Sequence, residues 1–428
     1  MSQFGYPGLD GPELQPETTL DVKRLLSNHT RIQYAGYSGV QLPESYNGLG
    51  FRNLLFILLQ IVGFHRAYHT AANAPGVHIV FIEEPEAHLH PQMQEVFIRH
   101  LGEIAAILDR ATRPSKWPVQ FVVSTHSSHV ANEAPFEAIR YFSATSKDQP
   151  AGVRHTKIKD LRAGLSGLKL EKPKDILFLH QYLTLTRCDL FFADKAVLIE
   201  GTSERLMLPK ITAILDAADA SLKLSSQYTA IIEVGGAYAH LFFPLLDFLE
   251  LRSLIITDID ATKRNTNNRY EACAVHEGER TSNACLKSWF EDDITPAALI
   301  AKGEPDKIVG IRRIAFQQPE VAGGPCGRTF EDAFMLANRH LFPFAGPTWA
   351  DLEGQARDSA DEQKKSSFAL EYAILKTGWG VPKYISDGLK WLAGGSTAAV
   401  IDSGLTMVAD ATGGNSVGAV TSEAATNG

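Results

Sequence analysis

The chain has 428 residues, of which 44% are hydrophobic and 21% are charged, a composition typical of a globular protein with two or three domains. Its longest apolar stretch, Leu54 to Phe64, is shorter than the ~20 residues that cross a bilayer, so we expect no membrane span. The first twenty residues lack the basic start of a secretory signal, and the four cysteines form no C-x-x-C pair, which excludes a zinc ribbon and favours a cytoplasmic location. The formal net charge of −8 means that nucleic acid would need a local basic surface or bound metal ions.

The first part of the chain predicts a parallel α/β layer over residues 47–150, after an irregular N-terminal segment, 1–46. Leu54 to Phe64 predicts an apolar helix, and Val77 to Ile82 predicts a fully buried strand. Apolar residues at helical spacing from Met93 to Leu101 indicate a second helix. Val119 to Val123 predicts a second buried strand, and the order strand, helix, strand favours parallel pairing.

A basic connection, residues 151–194, follows this layer. Between Val153 and Lys174 it carries seven basic and two acidic residues. We interpret Lys169, Lys172 and Lys174 as contacts to a DNA backbone.

A second α/β pattern covers residues 195–330. It predicts strands at 196–199, 230–234 and 254–257, with helices from Ser203 and through 242–249. The polar insertion from Asn265 to Asn283 has no assigned role, and one interpretation is a loop that contacts DNA. Residues 331–395 predict a helical extension, and 396–428 predict a flexible tail rich in small residues.

The first candidate site follows the predicted strands of the first layer. Glu83 and Glu84 end one strand and His126 follows the other, so one carboxylate can hold Mg²⁺ while its neighbour polarises water beside a γ-phosphate. Two other interpretations are that the glutamates only cap a helix, or that nearby histidines bind zinc. The histidines of that second alternative are His88, His90, His126 and His129.

These segments resemble the Walker B, D-loop and H-loop of an ABC-type ATPase head, and the residues from Tyr46 to Gly50 resemble its signature loop. No Gly-Lys dipeptide occurs in the chain, so the phosphate-binding motif G-x-x-x-x-G-K-[ST] is absent from this sequence. We therefore expect ATP to act only if a Walker A half is supplied, and ATPase activity of this chain alone is not expected. The resemblance implies a C-terminal half of the head, with a missing N-terminal half as a partner.

The second candidate site combines Glu200 and Glu204 with Asp258 and Asp260. Each pair follows a predicted strand, and strand alternation predicts that both aspartates point to the same side. Glu204 lies one helical turn beyond Glu200. Carboxylate ligands without nearby histidine favour Mg²⁺ or Mn²⁺ over zinc.

The order E-G-x-S-E, then G-G, then D-x-D resembles a Toprim domain, the catalytic fold of topoisomerases, primases and some nucleases. An ABC-type head followed by a Toprim domain resembles the overcoming-lysogenization-defect (OLD) family of nucleases. The segments from Arg328 to Ala333 and from Lys365 to Ala369 resemble that family's C-terminal motifs. The resemblance implies that Glu331, with Asp332, completes a second metal site and that Lys365 stabilises charge near the scissile phosphate.

These observations predict a metal-dependent DNA endonuclease that hydrolyses phosphodiester bonds, with two metal ions and Glu200, Asp258, Asp260 and Lys365 as catalytic residues. We expect DNA as the substrate and a homodimer as the assembly. The rival from another class is a nucleotide-gated DNA-binding or dimerisation module that does not cut DNA. Topoisomerase-like and primase-like enzymes are further alternatives.

Overall fold

The computed structural model describes part of the chain. It comprises residues 14–17, 31–35, 41–43, 48–112, 116–135, 138–145, 155–167, 178–179, 181–182, 189–290 and 294–394. The predicted tail, 396–428, lies outside it.

The described strands number fifteen and the α-helices twelve. The strands are β1 (Leu14–Glu17), β2 (Arg31–Ala35), β3 (Gln41–Pro43), β4 (His78–Glu83), β5 (Val119–Ser124), β6 (Arg140–Thr145), β7 (His155–Asp160), β8 (Lys195–Ile199), β9 (Thr229–Glu233), β10 (Arg252–Ile256), β11 (Ala261–Arg264), β12 (Tyr270–Ala272), β13 (Arg280–Thr281), β14 (Ile308–Val309) and β15 (Arg312–Ala315). The helices are α1 (Leu49–Thr70), α2 (Pro91–Thr112), α3 (Ser128–Glu133), α4 (Leu161–Gly167), α5 (Thr202–Ala218), α6 (Phe243–Leu249), α7 (Ala284–Trp289), α8 (Pro296–Ile300), α9 (Phe330–Ala337), α10 (Trp349–Glu362), α11 (Lys365–Leu370) and α12 (Lys383–Ala393).

The N-terminal segment contains regular structure, whereas the sequence predicted an irregular stretch. Strands β1, β2 and β3 form a small antiparallel sheet in that order. Their polar composition gives little hydrophobic periodicity, and periodicity was the signal on which the prediction depended.

The first α/β layer pairs β4 with β5 in parallel register, as predicted. Helices α1 and α2 contribute Leu54, Ile61 and Phe97 to its core. The predictions that β4 and β5 are buried strands are wrong, because Phe81 of β4 is 71% exposed and no residue of β5 is buried. An apolar run predicts a strand, but it does not predict whether both faces of that strand are covered.

The second α/β layer is a five-stranded sheet in the order β14-β15-β10-β8-β9. All pairs are parallel except β14 with β15, which is antiparallel. Every residue of β8 is buried, as expected for a central strand with both faces covered. The strand ends of β8 and β10 therefore meet at one sheet edge.

The polar insertion forms structure that the sequence did not predict. Strands β12 and β13 pair with β11 on either side in a small antiparallel sheet, so the interpretation as a loop is wrong. Cys273, which lies in this insertion, is buried. These strands are only two to four residues long, too short to give a clear alternating pattern.

The C-terminal extension is largely helical, as predicted. Helix α12 packs on β10 and β15, where Gly388 approaches Leu254 closely. The Lys195 ammonium at the start of β8 donates to the carbonyl oxygen of Leu392 at 2.6 Å, which ties the helix end to the central strand. No described helix is both long enough and apolar enough to cross a bilayer.

Candidate functional site

The centre of the second layer is an acidic cluster at the edge where β8 and β10 end. We define the acidic cluster as Glu200, Glu204, Asp258, Asp260 and Glu331, with Lys365 beside it. Asp258 is close enough to the other four carboxylates for each of them to raise its pKa. The structure thus brings together acidic residues that are up to 131 positions apart in the sequence.

Glu200 is held in place by three donors to its Oε1 atom. The Thr257 hydroxyl donates to it, the Asp258 N–H donates at 3.0 Å, and the Asn283 amide donates at 2.7 Å. Gly236 leaves the space for this arrangement, since a Cβ there would lie 2.7 Å from Asn283 Nδ2 and 2.8 Å from the Glu200 carboxyl carbon. Burial raises the pKa of Glu200, while the hydrogen bonds oppose that rise.

Asp258 and Asp260 lie beyond the end of β10, so strand alternation does not position them. Asp258 is buried and accepts a hydrogen bond from Gln317 Nε2 at 2.6 Å. Gln317 Oε1 in turn accepts from the Ile259 N–H at 2.8 Å. Asp260 has a positive φ of 48° and forms an ion pair with Arg328 at 2.9 Å. The prediction that strand alternation turns both aspartates to the same side is wrong in its reason, because neither residue lies in the strand. The two carboxylates are close enough for Asp260 to raise the pKa of Asp258.

Glu204 and Glu331 occupy the first turns of α5 and α9. Glu204 Oε2 accepts from the Gly201 N–H at 3.2 Å, and Glu331 Oε1 accepts from the Ser203 hydroxyl at 2.7 Å. Burial raises the pKa of Glu204 to about 8, and repulsion from Glu331 and Glu200 adds to the effect. These buried carboxylates therefore carry unfavourable electrostatic energy that a bound cation would relieve.

Lys365 begins α11 and faces Glu331. Its Nζ lies 3.3 Å from Glu331 Oε2, and the side chain is 65% exposed. Although burial alone would lower its pKa, the carboxylates of Glu331, Asp258 and Glu204 raise it above the ordinary value. The ammonium thus stays charged at neutral pH at the border between the cluster and solvent.

Asp332 contacts the backbone at the start of α9, whereas its neighbour Glu331 belongs to the acidic cluster. Its two oxygens accept the N–H groups of Arg328 at 2.8 Å and Thr329 at 2.7 Å, which caps α9. Burial raises its pKa to about 6, against the lowering effect of those bonds. A ligand role for Asp332 stays a prediction, and its observed contacts are those of a helix cap.

An open cavity lies over the acidic cluster. Its lining residues are Glu200, Gly201, Thr202, Ser203, Glu204, Glu331 and Lys365. The ligand atoms that the cavity offers are mostly hard carboxylate oxygens, which fit Mg²⁺ or Mn²⁺ better than zinc. Asn283, Gln317 and Arg328 also position the site. Arg328 begins a segment that the resemblance had marked, whereas nothing in the local sequence around Asn283 and Gln317 signalled such a role.

The first candidate site is more open. Glu84 has a positive φ of 44° and its Oε1 lies 3.5 Å from His126 Nε2, with both side chains mostly exposed. Glu83 ends β4 opposite Ser124. Gly50 packs so closely on the His88 carbonyl group that a Cβ would overlap it, so the start of α1 contacts the loop after β4.

The histidines considered as a zinc site do not form one cluster in the described structure. His126 faces Glu84, whereas His129 Nδ1 lies 2.9 Å from Glu95. In the described part of the chain, the group with metal-ligand spacing is a different one, His65 with His69 and Asp109.

The basic connection is only partly described. Lys159 is buried, donates to the Phe248 carbonyl oxygen at 2.7 Å and pairs with Glu250 at 3.3 Å. Lys159 therefore ties β7 to the end of α6 and is not available to bind DNA. Lys169, Lys172 and Lys174 lie outside the described residues.

Two family models match the chain. Residues 3–131 match the AAA ATPase domain, and residues 191–260 match the TOPRIM domain of overcoming-lysogenization-defect-like proteins. The chain carries an ATPase domain followed by an OLD-like TOPRIM domain. The OLD-like TOPRIM match includes Glu200, Glu204, Asp258 and Asp260, whereas Glu331 and Lys365 lie beyond it.

Similar proteins carry nuclease names. Endonuclease GajA of Bacillus cereus (strain HuB5-5) is 27% identical over 409 residues, which are 87% of this chain and 57% of that protein. The OLD nuclease of Thermus scotoductus (strain ATCC 700910 / SA-01) is 27% identical over 54% of this chain and 39% of its own length. The chain thus spans little more than half the length of the first relative and about two fifths of the second. The solved C-terminal region of the Burkholderia pseudomallei OLD protein matches 47% of this chain and 98% of its own, at 16% identity and a TM-score of 0.28.

Proposed function

We propose that this chain carries the nuclease site of an OLD-type DNA endonuclease, which hydrolyses phosphodiester bonds at the acidic cluster with the help of divalent metal ions. The observation that supports it most is the gathering of five carboxylates, of which Glu200, Glu204 and Glu331 line a cavity bordered by the Lys365 ammonium. The nuclease names of the relatives, together with the OLD-like TOPRIM match of this chain, support the choice of reaction and of DNA as substrate.

The donor set fits Mg²⁺ or Mn²⁺. Glu204 and Asp258 are buried carboxylates whose pKa values are raised by burial and by their acidic neighbours. In this proposal Glu200, Glu204, Asp258, Asp260 and Glu331 hold the cations. A bound divalent cation would supply positive charge for the phosphate oxygens and lower the pKa of an attacking water.

The protein's own groups orient the reaction. Glu200 cannot turn freely, because Thr257, Asp258 and Asn283 all donate to one of its oxygens. Lys365 lies at the open border of the cavity, where its ammonium can approach a phosphate oxygen and offset developing negative charge. In the proposal, DNA enters from this side, and Lys169, Lys172 and Lys174 remain predicted contacts to its backbone.

We infer that the first candidate site, near Glu84 and His126, acts only together with phosphate-binding groups from elsewhere. Glu83, Glu84 and His126 would act on a γ-phosphate only when a Walker A half supplies the backbone N–H groups and lysine that hold the phosphates. The exposure of Glu84 and His126 supports this, since their side chains have few fixed contacts of their own.

Plasmid cleavage tests the proposal. The full chain is incubated with supercoiled plasmid in Mg²⁺, in Mn²⁺ and in a chelator, with Asp258→Asn as the site variant and Asp361→Asn as a matched control on the exposed end of α10. We expect nicked or linear product only with metal, and a loss of about 100-fold or more in Asp258→Asn. Metal-independent cleavage, or an Asp258→Asn variant as active as the parent, would contradict it. DNA binding without product would favour the rival, a nucleotide-gated binding or dimerisation module.

A further inference from the structure

A second cluster of ligand-type side chains lies between α1 and α2, in the ATPase domain. His65 and His69 are four residues apart on α1, so both project from the same helix face. Asp109 lies in the last turn of α2 and faces them. The side chains are 2%, 13% and 17% exposed, respectively, so this is an interior feature of the helix pair.

The ligand atoms converge on one point. His65 Nε2 lies 3.0 Å from Asp109 Oδ1, His69 Nε2 lies 3.7 Å from that same oxygen, and all three atoms are within 4.8 Å of one another. Zinc bonds of about 2.0 to 2.2 Å in a tetrahedral site place ligand atoms about 3.3 Å apart. The two nitrogen-to-oxygen distances, 3.0 and 3.7 Å, are close to this spacing, and the distance between the two nitrogens is at most 4.8 Å.

Surrounding groups hold the ligands in this orientation. The Trp117 N–H donates to Asp109 Oδ2 at 3.0 Å and leaves Oδ1 turned to the histidines. The Trp117 ring packs edge-on against His65, at 5.3 Å between ring centroids. Tyr68 packs edge-on against His69 at 5.2 Å. A second layer of this kind commonly orients metal ligands.

The main alternative is a hydrogen-bonded link between the two helices. One imidazole suffices for such a link, and the His65 contact at 3.0 Å would provide it. The convergence of a second imidazole nitrogen on the same carboxylate oxygen is the feature that a shared cation explains. Two imidazoles and one carboxylate suit Zn²⁺, whereas Mg²⁺ prefers oxygen ligands.

We propose that His65, His69 and Asp109 form a zinc site that clamps α1 to α2, with the fourth position open to water. The site shares no residue with the acidic cluster and does not depend on the proposed nuclease function. Its ligands all lie in the ATPase domain match, residues 3–131.

Zinc retention tests the proposal on the full chain, purified without a histidine tag and stripped with a chelator. The protein is incubated with ZnCl₂ in excess Mg²⁺, which competes for the carboxylates, then desalted and analysed by mass spectrometry for metal. The variants are His65→Gln, His69→Gln and Asp109→Asn, with His100→Gln on α2 as the matched histidine control. We expect one zinc per parent chain and per His100→Gln chain, and about tenfold less in the site variants.

Two further readouts keep the test decisive. Co²⁺ in place of zinc should give visible absorption bands typical of a four-coordinate site in the parent, and these should be lost in His69→Gln, the mildest variant. Zinc should raise the melting temperature of the parent but not that of His69→Gln, while chelator-treated parent and His69→Gln melt alike. A parent that retains no zinc, or a His69→Gln variant that retains as much as the parent, would overturn the proposal.

Discussion

The acidic cluster and the Glu84–His126 pair both lie where parallel strands end, but they are held very differently. Asp258 is 7% exposed and Glu331 is 2% exposed, and both have fixed hydrogen-bond or ion-pair partners. Glu84 and His126 have side chains that are 60% and 84% exposed and lie 3.5 Å apart. The acidic cluster is pre-organised within this chain, whereas the Glu84–His126 pair has little to fix it before a ligand or partner arrives.

Carboxylates at similar sheet edges therefore differ in what they can do before a ligand binds. Groups fixed before the ligand binds lose less conformational entropy at that step, so pre-organisation favours catalysis by the acidic cluster. The exposed pair would need phosphate-binding groups from elsewhere.

Lys365→Ala is expected to reduce DNA cleavage by about 100-fold, because it removes the positive charge beside Glu331 that would offset developing charge on the phosphate. The matched control is Lys364→Ala, at the neighbouring exposed position. Single-turnover cleavage rates give the comparison, and equal losses in both variants would mean that only general charge matters.

Gly236→Ala is expected to reduce cleavage by about tenfold or more, because its Cβ would push Glu200 and Asn283 apart. Gly354→Ala is the control, since a Cβ at that position meets nothing within 4 Å. Melting curves of both variants show whether the loss comes from global unfolding. Full activity in Gly236→Ala would show that the fixed position of Glu200 is not needed.

Glu204→Gln is expected to stabilise the metal-free protein at pH 8. Burial raises the pKa of Glu204 to about 8 from an ordinary value of 4.5, so the folded state binds more protons than the unfolded state between these values. The stability that this group contributes is complete below pH 4.5 and is lost as the pH rises through 8. Melting temperatures in a chelator should therefore be a few degrees higher for the variant at pH 8, by about 2 to 4 °C, and nearly equal at low pH.

Divalent metal should reverse that order. Mg²⁺ binds the folded parent and raises its melting temperature, while the Gln variant lacks one charged ligand and gains less. If Mg²⁺ shifts the two proteins equally, Glu204 is not a ligand. If the chelated proteins melt alike at pH 8, the electrostatic cost assigned to Glu204 is wrong.

The sequence predicted most of the sheet that carries the acidic cluster, because its strands are short apolar runs bounded by polar residues. Strands β8, β9 and β10 and helix α5 begin within two residues of their predicted starts. The burial of β4 was predicted wrongly, since a strand's own residues do not reveal what covers its second face. The insertion strands β12 and β13 were missed because they are too short to alternate visibly.

The site was predictable only in part. Acidic residues at strand ends signal a metal site, and this signal indicated Glu200 and Asp258. The local geometry of Asp260 was not predictable from alternation, because its positive φ lies beyond the strand end. Asn283 and Gln317 come from loops 83 and 59 positions away from the carboxylates that they contact, and only tertiary structure reveals such partners.

The most direct test of the central claim, that the acidic cluster cuts DNA without help from the Glu84–His126 pair, is a plasmid-cleavage time course in Mg²⁺ after nucleotides have been removed enzymatically. The parent and Glu84→Gln are compared without nucleotide and with ATP, and phosphate release is measured on the same samples. We expect the same cleavage rate in all four reactions and no meaningful phosphate release from this chain alone. Cleavage that strictly requires ATP, or that Glu84→Gln abolishes, would contradict it.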